Sequence, residues 1–160
     1  MDGTSSHDCL VMDAPLAIED AALARLHAYW QSKRRGRRFP ARRDLDPCDF
    51  GYILGWIILA DVTHEPRRYF IRLYGSELAG HAGFDITGSY LDEHPQPEFR
   101  DYVEKSWDDT VARREVTHGR FDRWVGDRRY RFESLRLPLA SDGETIDMLL
   151  VAIRHQDPLF

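Results

Sequence analysis

The sequence predicts an α+β domain, an antiparallel sheet with helices packed against it. Three observations carry that reading. A pair of segments rich in β-branched and aromatic residues lies between Trp56 and Tyr74, a three-strand pattern punctuated by turn residues runs from Val116 to Arg154, and two helical stripes stand before and between these regions. With 160 residues, 42% of them hydrophobic, the chain has material for one core and one domain.

Residues 1–18 read as a flexible tail, because the stretch up to about Pro15 is small, polar and without periodicity. The domain is placed at 19–155, with 156–160 as a C-terminal tail. From Glu19 to about Lys33, Leu23, Leu26 and Trp30 recur at helical spacing, and Glu19 and Asp20 suit the positive end of a helix dipole. This amphipathic helix is expected to stop near Gly36. Phe39 to Pro47 holds two prolines and predicts an irregular crossing, followed by a short apolar helix from Asp49 to about Leu54.

Trp56–Thr63 and Tyr69–Tyr74 predict a hairpin across the Pro66 turn, with the first strand central because its apolar run is nearly continuous. Alternation puts Phe70, Arg72 and Tyr74 on one face and Tyr69, Ile71 and Leu73 on the other, without saying which is buried. Ser76–His81 predicts a helical turn or two, and Gly83–Glu93 is rich in turn formers. Pro97 then opens a long helix whose stripe is Phe99, Val103, Trp107 and Val111. Strands are expected at Val116–Val125, Arg129–Leu139 and Thr145–Arg154, joined by Gly126-Asp127 and Ser141-Asp142-Gly143.

Composition narrows the function classes. The 22 basic residues against 27 acidic ones give a net charge of −5 and a pI of about 5.8, which argues against a dedicated nucleic-acid binder. The basic run Lys33, Arg34, Arg35, Arg37, Arg38, Arg42 and Arg43 is read as a solvated helix end pairing with Asp44, Asp46 and Asp49 rather than as a phosphate patch. The longest apolar run, Gly51–Ala60, is half the length of a membrane span, and the N-terminus has no signal-peptide pattern. Cys9 and Cys48 are far apart and lack metal-ligand spacing, so a reduced cytoplasmic protein is expected. No nucleophile elbow, phosphate loop, metal motif or dinucleotide fingerprint is present, so the chain is not expected to be an enzyme.

The segment Gly88-Ser-Tyr-Leu-Asp-Glu-His-Pro95, leading into the long helix, resembles the PAS signature of a glycine, an aliphatic residue, an acid and a His-Pro-like turn. Arg72-Leu-Tyr-Gly-Ser-Glu-Leu78, Gly83-Phe-Asp-Ile-Thr-Gly88 and the opening Tyr29-Trp30 with Arg34, Gly36, Arg37, Pro40, Arg42, Asp44 and Pro47 resemble a PAS subfamily frequent in alphaproteobacteria. The resemblance covers roughly residues 21–154. It implies a five-stranded antiparallel sheet in the order 2-1-5-4-3 with helices on one face, besides the N-terminal helix, and a small cavity between. It also marks Arg72, Gly75, Asp85, Thr87 and Gly88 as a structural motif. Haem is not expected, since no His lies between Pro97 and Arg114, and a flavin photosensor would need a reactive Cys near the helix after the second strand.

The function implied is a stand-alone sensory or regulatory domain that binds a small apolar or amphipathic ligand and signals through a protein partner. The alternatives are a ligand-free interaction adaptor or a small α+β enzyme. Candidate ligand contacts are Trp56, Arg72, Phe84, Tyr90, Phe99, Trp107, Phe121, Tyr130, Phe132 and Ser134, with Arg136 a further polar candidate. If Arg72 points inward, Asp85 is its expected partner. Leu23, Leu26 and Trp30 are the candidate face of a homodimer, or else a cap on the sheet.

Overall fold

A computed structural model describes residues 16–156. Most of the two tails, with His7 and Cys9, lies outside the described residues. Helices α1 (Ala21–Ser32), α2 (Ser76–Ala82) and α3 (Pro97–Arg113) accompany strands β1 (Ile57–His64), β2 (Arg67–Tyr74), β3 (Thr117–Val125), β4 (Arg128–Leu139) and β5 (Met148–His155). The strands form one five-stranded sheet, all neighbours antiparallel, in the order β2-β1-β5-β4-β3. Strand β1 is central, with Ile58 opposite both Tyr74 and Val151.

Both faces of the sheet are covered, and β4 records it. Its residues from Phe132 to Leu139 are all buried, so each alternation finds a packing partner. Ser134 and Arg136 face the layer of α3, where Arg136 Nε donates to Thr117 Oγ1 at 3.0 Å. Glu133, Leu135, Leu137 and Leu139 face the layer of α1, where the Glu133 carboxylate accepts from the backbone N–H groups of Glu19 (2.8 Å) and Asp20 (3.0 Å).

Helix α1 begins where Asp20 accepts from Ala22 and Leu23 N–H, satisfying two of the first-turn donors. Its apolar stripe corrects the dimer expectation. Leu23 and Leu26 are fully buried, Trp30 is 4% exposed, and the Trp30 indole donates to the Pro138 carbonyl at 2.9 Å. The stripe caps the chain's own sheet, the second of the two roles the sequence left open. The same layer takes Phe39, Leu45, Phe50 and Ile53 from the crossing segment.

Two boundaries differ from the sequence reading for local reasons. The expected helix from Asp49 is replaced by 3₁₀ turns at Pro47–Phe50 and Leu54–Trp56, the first nucleated by Pro47 and by Asp46 accepting from Cys48 N–H. Strand β5 starts at Met148 rather than Thr145, because Asp142 accepts from Glu144 and Thr145 N–H and folds that stretch into the turn.

A candidate ligand cavity between the sheet and the helices

A β-bulge sets the wall of the site. The register passes from Leu59 opposite Leu73 to Ala60 opposite Ile71, so Arg72 has no partner across the ladder. The extra residue reverses the alternation. Tyr74 therefore joins Ile71 on the buried face, against the sequence expectation that it would share a face with Phe70 and Arg72. Arg72 itself points outward, with its side chain 60% exposed, and pairs with Asp61 at 2.6 Å instead of Asp85. Its ligand-binding role is corrected accordingly.

Behind this wall, a cavity of about 80 Å³ separates the sheet from α2, α3 and the connecting segment. The sheet contributes Ile58, Ile71, Tyr74, Phe132 and Ile153. Leu78 comes from α2, Phe84, Ile86 and Leu91 from the loop, and Phe99, Val103 and Trp107 from α3. The spacing of four on α3 is what points these three side chains at one target. Trp107 is held by an edge-on contact with Tyr69, at 5.2 Å between centroids, and the Tyr69 hydroxyl donates to Asp108 on the next position of the helix.

The polar side chains of the lining are His81, His94, Gln96 and His155, besides the hydroxyl-bearing Tyr74 and Tyr130. His94 is only 8% exposed, and its Nδ1 accepts from the Gln96 N–H at 3.0 Å. That bond assigns the remaining proton to Nε2, leaving an N–H donor on this side chain. Burial first, and Arg100 second, hold the His94 pKa below the ordinary histidine value, so the neutral ring prevails at pH 7. His81 is shifted the same way by burial and then by Arg128. Its ring lies flat on His155, 4.0 Å between centroids and 5° from parallel, with Trp56 tilted against both. The enclosure thus has apolar walls and an imidazole-rich end.

The sequence profile of the PAS domain family matches residues 18–153. The chain belongs to the PAS family. No curated protein matches it. Among solved structures, a sensory box sensor histidine kinase from Vibrio cholerae is 15% identical with a TM-score of 0.49, over 69% of this chain and 92% of that one. The Rhodobacter sphaeroides LOV protein is 11% identical with a TM-score of 0.48, over 70% of this chain and 69% of that one. The PAS domain of Bordetella pertussis BvgS is 13% identical with a TM-score of 0.43, over 62% of this chain and 73% of that one. PAS domains are generally sensory rather than catalytic.

The sequence-marked motif of this PAS domain closes the loop beneath the cavity. Asp85 accepts from the Thr87 N–H at 2.9 Å and the Thr87 hydroxyl at 2.6 Å, and Thr87 Oγ1 in turn accepts from Tyr74 N–H at 3.1 Å. Gly88, at φ +87°, donates to the Ile71 carbonyl at 2.8 Å. Gly75 is required by contact: a Cβ there would stand 2.1 Å from the Gly55 carbonyl oxygen. Arg72 takes no part in this network.

Of the expected ligand contacts, Phe84, Phe99, Trp107, Tyr130 and Phe132 line the cavity of the PAS domain. Trp56 lies outside it against the histidine stack, under the Arg154 guanidinium. Tyr90 packs on Phe70 and carries Arg68 at 3.6 Å from its ring centroid. Phe121 is buried in a side cluster with Phe99 and Phe132, and Ser134 bonds to Arg136 away from the lining. Sequence reasoning did not place the histidines His81, His94 and His155 in the lining. The one signal for them in the sequence was His94 within the PAS-like turn itself.

Among the described residues no group of three metal-ligating side chains gathers, and no helix is long and apolar enough to cross a membrane.

Proposed function

We propose that this PAS domain is a sensory and regulatory module whose cavity takes a compact guest, an apolar body bearing one hydrogen-bond-accepting group, and reports its presence to a protein partner. The observation that carries this reading is the cavity itself: apolar on its sheet and helix walls, with His94 Nε2–H as a donor for the guest's polar group. Its free volume of about 80 Å³ favours a guest well below the size of a flavin or haem. The order of magnitude is sufficient for selection. At ~24 cal/mol per Å³ of void, filling the space with matched apolar atoms is worth about 2 kcal/mol before any hydrogen bond is counted.

Strand β4 offers the route outward. Tyr130 and Phe132 line the cavity, and the same hairpin presents Trp124, 68% exposed, opposite Arg129. A guest that displaces either ring acts directly on the strand pair that carries the exposed indole. Trp124 also supports a second reading, an adaptor that binds its partner with no guest at all.

Native mass spectrometry beside a denatured control separates the two. The sensory reading expects a non-covalent mass retained by the protein, or hits in a thermal-shift screen of small aromatic and short-chain acids, with both lost in Val103→Trp. A wild-type protein that retains nothing and shifts with nothing overturns it and leaves the adaptor.

A further inference from the structure

A second concavity, separate from the ligand cavity, runs along the start of β3 between the C-terminal ends of α1 and α3. We propose that it is an anion site that takes a small phosphate-bearing molecule, anchored by Arg136.

The charge balance of the groove points there. Six arginines line it in a chain whose net charge is −5. Arg37 is paired with Asp44 at 2.7 Å, Arg113 with Asp109 at 3.2 Å and Glu115 at 3.6 Å, and Arg114 with Glu144 at 3.0 Å. Those pairs use both carboxylates of the lining, Asp109 and Glu115. Arg34, Arg38 and Arg136 have no carboxylate partner among the described residues. Arg34 Nε donates to the Arg37 carbonyl at 3.2 Å, and Arg38 donates from Nε and Nη2 to the Arg114 carbonyl at 3.3 and 3.1 Å, so backbone carbonyls orient these cations without neutralising them.

Arg136 is the decisive residue. It is 6% exposed, its hydrogen-bond partners Thr117, Ser134 and Tyr102 are neutral hydroxyls, and the carboxylate that acts on it, Asp109, is already paired with Arg113. A guanidinium taken out of water and hydrogen-bonded only to hydroxyls retains a demand for negative charge. Burial accordingly pushes its pKa down. Gly119 keeps the space beside it open, since a Cβ there would stand 3.3 Å from Nη1. A recessed fork with two cations above it suits a tetrahedral oxyanion, which can accept bidentately at depth and still present oxygens to the rim. The lining histidine His27 adds a donor, whereas His118 Nε2–H is committed to Glu133. The groove, at about 1020 Å³, has room for more than one phosphate group.

The test titrates the protein with pyrophosphate, orthophosphate and citrate at low ionic strength, by calorimetry and by amide chemical shifts. Pyrophosphate is expected to bind more tightly than orthophosphate and to perturb Thr117–Gly119 and Arg34–Arg38. Arg136→Met is expected to weaken binding by about tenfold or more, the loss of one charge-assisted pair. Should that variant fail to fold, Arg34→Ala with Arg38→Ala decides by the same loss. Shifts no larger than those from chloride at matched ionic strength, citrate binding as tightly as pyrophosphate, or full affinity in the folded variants would each overturn the proposal.

Discussion

Glu133→Gln is expected to loosen the N-terminal helix from the sheet and to cost about 2–3 kcal/mol, with Glu133→Ala nearer 3–5 kcal/mol. The wild-type carboxylate is 1% exposed and accepts three hydrogen bonds, from Glu19 N–H at 2.8 Å, Asp20 N–H at 3.0 Å and His118 Nε2–H at 2.6 Å. Glutamine keeps one acceptor but turns an amide N–H₂ toward a donor, whereas alanine leaves all three donors without their acceptor. The pH dependence follows from the same contacts. Burial raises the Glu133 pKa, but the Glu19 N–H, His118 and the Asp20 N–H together outweigh it, so the folded pKa lies below the unfolded one. The contribution is therefore present above the unfolded glutamate value of about 4.3 and is lost as pH falls through the folded value. Urea unfolding at pH 7 and pH 3, with hydrogen exchange at Glu19 and Asp20, reads both effects. A Gln variant within about 0.5 kcal/mol of wild type at pH 7, or a stability gap that does not narrow at pH 3, would refute the argument.

Leu26→Ala should cost about 2–5 kcal/mol in denaturant, since the side chain is fully buried against the sheet, while light scattering shows an unchanged mass. A folded variant whose oligomeric state alone changes would restore the dimer role of this stripe. The depressed pKa values of His81 and His94 predict that stability is fully present above the unfolded histidine value of about 6.5 and declines as pH falls toward the folded values, because the unfolded state binds those protons first. Melting temperatures of wild type and His94→Phe between pH 7.5 and 5 check this. An equally steep decline in the variant removes His94 from the effect.

The sheet and the long helix were legible because their signals are local. Trp56–Thr63 reads as a central strand from its apolar run, and Phe99, Val103 and Trp107 read as one helical face from their spacing, and both stand as read. What failed was whatever depended on a single inserted residue or on contacts distant in sequence. No pattern in YFIRLY announces that Arg72 will bulge, yet that one residue decides that Tyr74 lines the cavity and Arg72 does not. The aromatic residues expected at the cavity divide among four places, the cavity, the side cluster around Phe121, the outer surface around Tyr90 and the histidine stack beside Trp56, and only tertiary packing makes that division. The Leu23, Leu26 and Trp30 stripe is visible in sequence, but its target is not. An amphipathic face looks the same whether it meets a second copy or the chain's own β4.

Helix α3 ties the two concavities to one element. Its first three turns supply Phe99, Val103 and Trp107 to the ligand cavity, and its C-terminal part supplies Asp109 and Arg113 to the groove, with Arg114 just beyond at φ +57°. A left-handed arginine fixes the direction in which the chain leaves the helix, and the Arg38 guanidinium bonded to the Arg114 carbonyl fastens that end to the segment following α1. If the 17-residue helix moves as a body, a guest that shifts the part lining the cavity also shifts its end. Thermodynamic linkage then requires reciprocity: if filling the cavity changes the groove's affinity for an anion, the anion changes the cavity's affinity for its guest by the same factor. On the functions proposed above, α3 is the element that would couple the cavity to the groove.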